Sequence, residues 1–250
     1  MRIPPRPETK TPLLTTINNF NRSYITSLIL NLLRNKFYRS EAQLQFDIAW
    51  QIKEDLINLT DWQVLLEPLS ATIASGKNAK RLYTDIIVYN GKTKEFIPIE
   101  LKYKTKKIKG TNLLRNHGAQ DLGSYDFLWD VKRIEMLKTQ TSVTPNGDCC
   151  NRECEFALFI KGFAIIITND KSYSRQHNNS CAKDFHFTQG KTFYAGTTVD
   201  WDRTNQSTFY KGSWRDAAII FSGNYRCDWT TATSPSPYCE LFQFLTFEIK

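Results

Sequence analysis

No stretch of this chain approaches the roughly 18 consecutive apolar residues of a membrane-spanning helix. The opening MRIPPRPETKTP has no apolar segment of the secretory kind, so residues 1–15 are expected to form a flexible tail and the protein to be cytoplasmic. The six cysteines do not make a zinc pattern. Cys149, Cys150 and Cys154 cluster in GDCCNREC, while Cys181, Cys227 and Cys239 are dispersed, so only half of a paired spacing is present. Free thiols and no structural metal are expected. The three histidines carry no motif. There is no internal repeat, no long low-complexity segment and no sign of an organic cofactor.

What is present suits a full globular core. The chain has 250 residues, 41% of them hydrophobic, and a domain of that size buries roughly 70–75% of its unfolded surface. A single domain over residues 16–250 is expected. Thirty-three basic residues against 25 acidic ones give a net charge of +8, which suits a polyanionic partner such as nucleic acid.

The segment TINNFNRSYITSLILNLLRNK places Tyr24, Leu28 and Leu32 at helical spacing, with Ile25 and Ile29 on the flank. A second helix is expected in SEAQLQFDIAWQIKEDLIN. Ser40 suits its N-cap, Gln43 completes a capping box, and Leu44, Ile48, Ile52 and Leu56, flanked by Ala49, form a stripe. WQVLLEPLSATI reads as one strand and ASGKNAKR as a basic loop. Two β-rich runs follow, joined by Asn90-Gly91. A third helix over about residues 117–138 would align Leu122, Tyr125, Trp129 and Met136. EFALFIKGFAIIITND reads as a continuous buried strand. Further strands are expected in DFHFTQGKTFYAG, DAAIIFSGNY and YCELFQFLTFEIK, with KSYSRQHNNS and DWTTATSPSP as flexible loops. The order predicts an α/β or α+β fold with a central mixed sheet flanked by helices. Its core would span about residues 40–170, with a β-rich extension over about 171–250.

The hairpin YTDIIVYNGKTKEFIPIELKYKTKK carries charges where a buried strand would be apolar. Glu100 and Lys102, two residues apart, project to one face, and the turn brings Asp85 alongside. Two convergent carboxylates suit Mg2+. Such an ion would lower the pKa of a bound water and neutralise charge on a phosphate, while Lys102 orients or deprotonates that water or stabilises the transition state. The same charges also suit an ordinary hairpin with one solvated face. Pro98 cannot donate to a ladder, so a bulge or an unpaired edge position is expected there.

The spacing D-x14-E-x-K behind a helix opening SEAQLQ resembles the PD-(D/E)XK nuclease superfamily, which has the restriction-endonuclease-like fold. The resemblance covers about residues 40–138, through SEAQLQ, RLYTDIIV, IPIELKY and GAQDLGSYDF. It implies that Asp85 and Glu100, with the backbone carbonyl of Leu101, bind Mg2+ or Mn2+, and that Lys102 works on the nucleophile. It also implies a further carboxylate from Glu41, although the helix dipole favours an acidic residue there in any case. Gln120 matches a Gln of the recombination and repair branches. The Tyr expected four residues later is replaced by Ser124, with Tyr125 following, and Thr84 stands where the family has Pro. TNDKSYSR and GSWRDAAIIFSGNY resemble segments of uncharacterised bacterial proteins sharing that core.

The implied activity is Mg2+-dependent hydrolysis of phosphodiester bonds in nucleic acid, DNA ahead of RNA. Lys104, Lys106, Lys107 and Lys109, extended by Lys77, Lys80 and Arg81, would hold phosphates. They equally suit a solvated edge that discourages strand pairing. Trp201, Trp214 and Trp229 are expected in the core. A catalytically silent nucleic-acid-binding module and an interaction protein on the same scaffold are the alternatives, and a dimer is compatible with either.

Overall fold

The computed structural model describes residues 14–75, 78–139, 158–176, 181–204, 214–235 and 241–250, with the side chains of 71–81 and Trp214 outside that description. Lys77 and the Cys149, Cys150 and Cys154 cluster lie outside the described residues, as do residues 1–13 of the expected tail. Leu14, at the end of that tail, is buried and donates its N–H to Asp55 O at 3.1 Å. Packing therefore begins by residue 14.

Two helices start the fold, each with a side-chain cap. In α1 (Arg22–Asn35), Asn21 Oδ1 accepts from Tyr24 N at 3.0 Å, and Tyr24, Ile25, Leu28, Ile29 and Leu33 are buried. In α2 (Glu41–Asp55), Ser40 Oγ accepts from Gln43 N at 3.2 Å. Gln43 reaches back to Arg39 N, one residue earlier than a capping box requires. The expected stripe of Leu44, Ile48, Ala49, Ile52 and Leu56 is buried.

The expected strand over WQVLLEPLSATI is two strands, β1 (Trp62–Leu66) and β2 (Leu69–Ser75). Glu67 at φ 49 and Pro68 turn the chain between them. The expected basic loop is largely β3 (Asn78–Tyr83), which pairs with β2. Next come β4 (Ile86–Asn90) and β5 (Glu95–Lys104). Their turn is shaped by Asn90, whose Oδ1 accepts from Lys92 N and Thr93 N at 2.9 and 3.0 Å. After α3 (Gln120–Thr139), the expected continuous strand is broken into β6 (Leu158–Phe159) and β7 (Gly162–Thr168). Short ladders follow: β8 (Thr192–Phe193), β9 (Thr198–Val199), β10 (Ile219–Ile220) and β11 (Tyr225–Arg226). β12 (Thr230–Thr233) lies in the segment expected to be a loop, and β13 (Leu241–Ile249) closes the chain.

The central sheet is mixed, in the order β1-β4-β5-β7-β13-β12, with β6 beside β5. β5 and β7 are parallel, whereas β1/β4, β4/β5, β7/β13 and β12/β13 are antiparallel. One face packs Ile86, Ile97, Ile99, Leu101 and Ile165 against α1 and α2. The other face packs Ala164, Ile166, Leu245 and Phe247 against α3. The β-rich C-terminal part does not stand apart, because β12 and β13 extend the central sheet. The β8/β11 and β9/β10 segments add residues to the core around α3, where Trp201 stacks on Tyr125 at 5.5 Å.

Sandwiching hides the α3 stripe. Leu128, Val131 and Ile134 are buried beside the expected Tyr125, and Ser124, Asp130 and Glu135 are buried with them. Met136 is only half-buried.

Pro98 is not at a bulge. It sits in regular register with Ile87 of β4. Alternation along β5 turns its nitrogen to the other neighbour, opposite the gap where β6 has ended and β7 has not begun. Gly162 closes that gap. A Cβ there would lie 2.3 Å from Ile134 Cγ2 and 3.2 Å from Pro98 Cγ. Gly162→Ala is expected to destabilise the protein by about 1–3 kcal/mol through overpacking, read as a lower urea midpoint at unchanged slope.

Candidate active site

β5 outruns its neighbour. Pairing with β4 ends at Ile86↔Ile99, whereas pairing with β7 continues to Lys104. The N–H groups of Leu101 and Tyr103 therefore leave a bare edge, and two carboxylates take them. Asp85 Oδ2 accepts from Leu101 N at 2.7 Å, and Glu41 Oε2 accepts from Tyr103 N at 2.5 Å. A residue's C=O leaves a strand on the same edge as its N–H, so the Leu101 carbonyl points there too.

Asp85 lies one residue ahead of β4 rather than within it. Its own carbonyl is anchored by Glu67 N at 3.0 Å and Gln45 Nε2 at 2.8 Å. Gln45 is one turn beyond Glu41, so both polar residues of SEAQLQ that α2 aims at the hairpin have a structural task. Burial, opposed by the Tyr103 N–H and by Lys102, raises the Glu41 carboxyl above its ordinary range.

The opposite side of the edge is closed by α3, and the hairpin has no solvated face at this point. Only 2% of the Glu100 side chain and 19% of the Lys102 side chain is exposed. Lys102 Nζ pairs with Asp130 Oδ2 at 2.8 Å. Arg133 pairs with Glu100 Oε1 and Asp130 Oδ1, both at 3.1 Å, and also donates to Tyr83 O. Asp130 and Arg133 escape a reading of the sequence, because an opposite-charge pair three residues apart looks like a surface ion pair.

Burial opposes the charge on Lys102, but Asp130, Asp85 and Glu100 together outweigh it and raise its pKa above that of an ordinary lysine. Asp130 is raised by burial against the pull of Lys102 and Arg133. Glu100 is raised well above its usual 4.5, first by burial and then by Asp130, with Arg133 opposing. The fold thus prefers the protonated acid at Glu100. That contribution is complete below pH 4.5 and is lost as pH rises through the raised value. Glu100→Gln fixes a neutral group there. It is expected to raise the melting temperature at pH 8 by several degrees, at about 2–4 °C per kcal/mol, and to change it little at pH 4. Calorimetry at both values checks this, and equal shifts contradict it.

The remaining candidates lie elsewhere. Gln120 Nε2 donates to Asp170 Oδ2 at 3.1 Å, beyond the end of β7, and is not part of the carboxylate cluster. Lys106, Lys107 and Lys109 are exposed on the loop after β5, and Lys104 is half-buried at its last position. Lys80 and Arg81 lie in β3, with their side chains outside the described residues. Lys106 joins Asn169, Asp170, Lys171 and Arg175 around an open cleft of about 530 Å³. A second cleft, of about 400 Å³, is lined by Arg22, Tyr225 and Arg226 and shares no residue with the cluster. Trp201 is a buried core residue, and Trp229, half-buried, packs against Phe187 at the edge of that core. No helix among the described residues is long and apolar enough to cross a membrane. The chain matches no protein-family model, no curated protein and no solved structure.

Proposed function

We propose that the protein is a Mg2+-dependent nuclease of restriction-endonuclease-like fold that hydrolyses phosphodiester bonds of nucleic acid, DNA in the first place. The observation that carries this reading is the convergence on one stretch of β5: Asp85 and Glu41 on its bare edge, Glu100 and Lys102 on its face. A helix, a charged antiparallel hairpin, a second helix and a parallel strand within a mixed sheet support the same reading.

A divalent cation fits the donor set in chemistry and charge. Four carboxyl groups, Glu41, Asp85, Glu100 and Asp130, surround the two cations Lys102 and Arg133, and a divalent cation would take the place of the proton that burial favours on Glu100. Glu100 Oε1 is buried with the Arg133 guanidinium at 3.1 Å but no well-formed hydrogen bond, whereas Asp130 Oδ2 is taken by Lys102 Nζ at 2.8 Å. All donors are hard oxygens. Asp85, Glu100, Glu41 and the Leu101 carbonyl would hold the ion. Among the described residues no three His, Cys, Asp or Glu side chains already converge on one point, and Glu100 is held instead by Arg133. When bound, the ion supplies an acidified water and neutralises phosphate charge.

The protein's own residues do the rest. Lys102, kept protonated beside Asp130, acts as a cation and donor toward developing negative charge, and not as the base. Lys106, Lys171 and Arg175, past the ends of β5 and β7, suit the phosphates of the strand. The ion pairs that hold Glu100 and Lys102 favour a second reading, a catalytically silent nucleic-acid-binding protein.

Supercoiled plasmid incubated with Mg2+ or Mn2+ tests the proposal. Nicking by the wild-type chain that disappears in Asp85→Ala supports the nuclease. Salt-dependent binding without cleavage in either metal supports the silent binder. Failure to retain nucleic acid at moderate salt would move the scaffold to protein interaction.

A further inference from the structure

We propose that Arg133 is the internal counter-ion of the carboxylate site, standing where a divalent cation has to bind, so that loading the site means exchanging this guanidinium for the ion. The inference rests on the metal-site reading above and concerns its regulation. An arginine matches a carboxylate best through two parallel N–H bonds. Arg133 achieves this with neither of its partners. Nη2 lies 3.1 Å from Glu100 Oε1 and Nη1 lies 3.1 Å from Asp130 Oδ1, one contact to each. Glu100 Oε1 makes no hydrogen bond despite that approach, and Arg133 Nε is buried without an acceptor. The guanidinium hydrogen-bonds Asp130 Oδ1 and the Tyr83 carbonyl, and toward Glu100 it supplies charge without good geometry, which a compact, oxygen-seeking ion can better.

Exposure shows which partner can leave. Arg133 keeps 18% of its side chain exposed, against 2% for Glu100 and 5% for Asp130. The arginine can swing toward water, and the carboxylates cannot. When it goes, Asp130 Oδ1 and the Tyr83 carbonyl lose a donor, but Asp130 Oδ2 still has Lys102 at 2.8 Å, so Glu100 is the one left without its ion pair. Glu100 is the carboxylate the ion needs, and Asp85 already waits on the backbone between Glu100 and Lys102. Asp130 is on this account a positioning residue: it holds Lys102 in place in both states.

Mn2+ titration calorimetry on the full chain, comparing wild type with Arg133→Met and Arg133→Lys, tests the exchange. The expected result is affinity at least about tenfold higher in Arg133→Met, with Arg133→Lys between the two. Should Arg133→Met fail to fold, the arginine side-chain Nε resonances of the wild-type protein carry the test. Mg2+ is expected to shift that of Arg133 and leave that of Arg215, paired with Asp126, in place. Wild-type binding with no gain in Arg133→Met, or with an unmoved Arg133 resonance, overturns the exchange and leaves the metal site standing. No binding by wild type or variant overturns both.

Discussion

Lys102→Met is expected to slow Mg2+-dependent plasmid nicking by about 10²–10³-fold, the scale for loss of one preorganised electrostatic donor. Mn2+ affinity should hold or rise, because the substitution removes a cation from beside the carboxylates. The lysine is largely buried, paired with Asp130 and held in its charged form. It therefore carries positive charge into a site that admits little water, where charge is worth more than at a surface. Folding should survive, since Asp130 keeps Arg133 at 3.1 Å when Nζ is lost. Single-turnover nicking at saturating metal, with calorimetric Mn2+ affinity measured in parallel, separates the two effects. An unchanged rate would remove Lys102 from the chemistry.

Glu135→Ala is expected to destabilise the protein by about 3–5 kcal/mol, the range for removing one member of a buried charged network. Its Oε1 alone accepts from Ser222 N at 2.7 Å, Gly223 N at 2.9 Å and the Tyr225 hydroxyl at 2.7 Å. Its Oε2 lies 3.2 Å from Lys132 Nζ. Removing the carboxylate strands three donors at once and frees the 222–225 turn from α3. The urea midpoint should fall sharply, and Glu135→Gln, which keeps an acceptor oxygen, should lose less. Equal losses in the two variants would mean that packing, and not this acceptor, fixes the turn.

Local signals made part of this architecture legible. Ser40 announces α2, and the side chains that α2 directs at the hairpin, Glu41 and Gln45, come from the same six-residue stretch. Asp85, Glu100 and Lys102 stand out because charge interrupts β-rich runs. What stayed hidden depends on long-range packing. Asp130 and Arg133 are ordinary helix-surface residue types until the Glu100 and Lys102 face is laid against them. The break between β6 and β7 falls inside an apolar run, and Pro98 explains it only once the two segments are neighbours. In the β2/β3 hairpin the second strand reads as a loop because it is rich in Lys, Arg and Asn, residues with weak strand preference.

The central claim is that Asp85 and Glu100 share one divalent cation across the end of the hairpin. Titration calorimetry with Mn2+ on wild type and Asp85→Asn tests it most directly. The amide oxygen of Asn can still accept from Leu101 N, and it removes one of several crowded negative charges, so the melting temperature should hold or rise slightly. The account predicts one Mn2+ site in the wild-type chain, lost in Asp85→Asn while the fold is kept. Equal affinity in the two proteins, or no binding by the wild type, would contradict it.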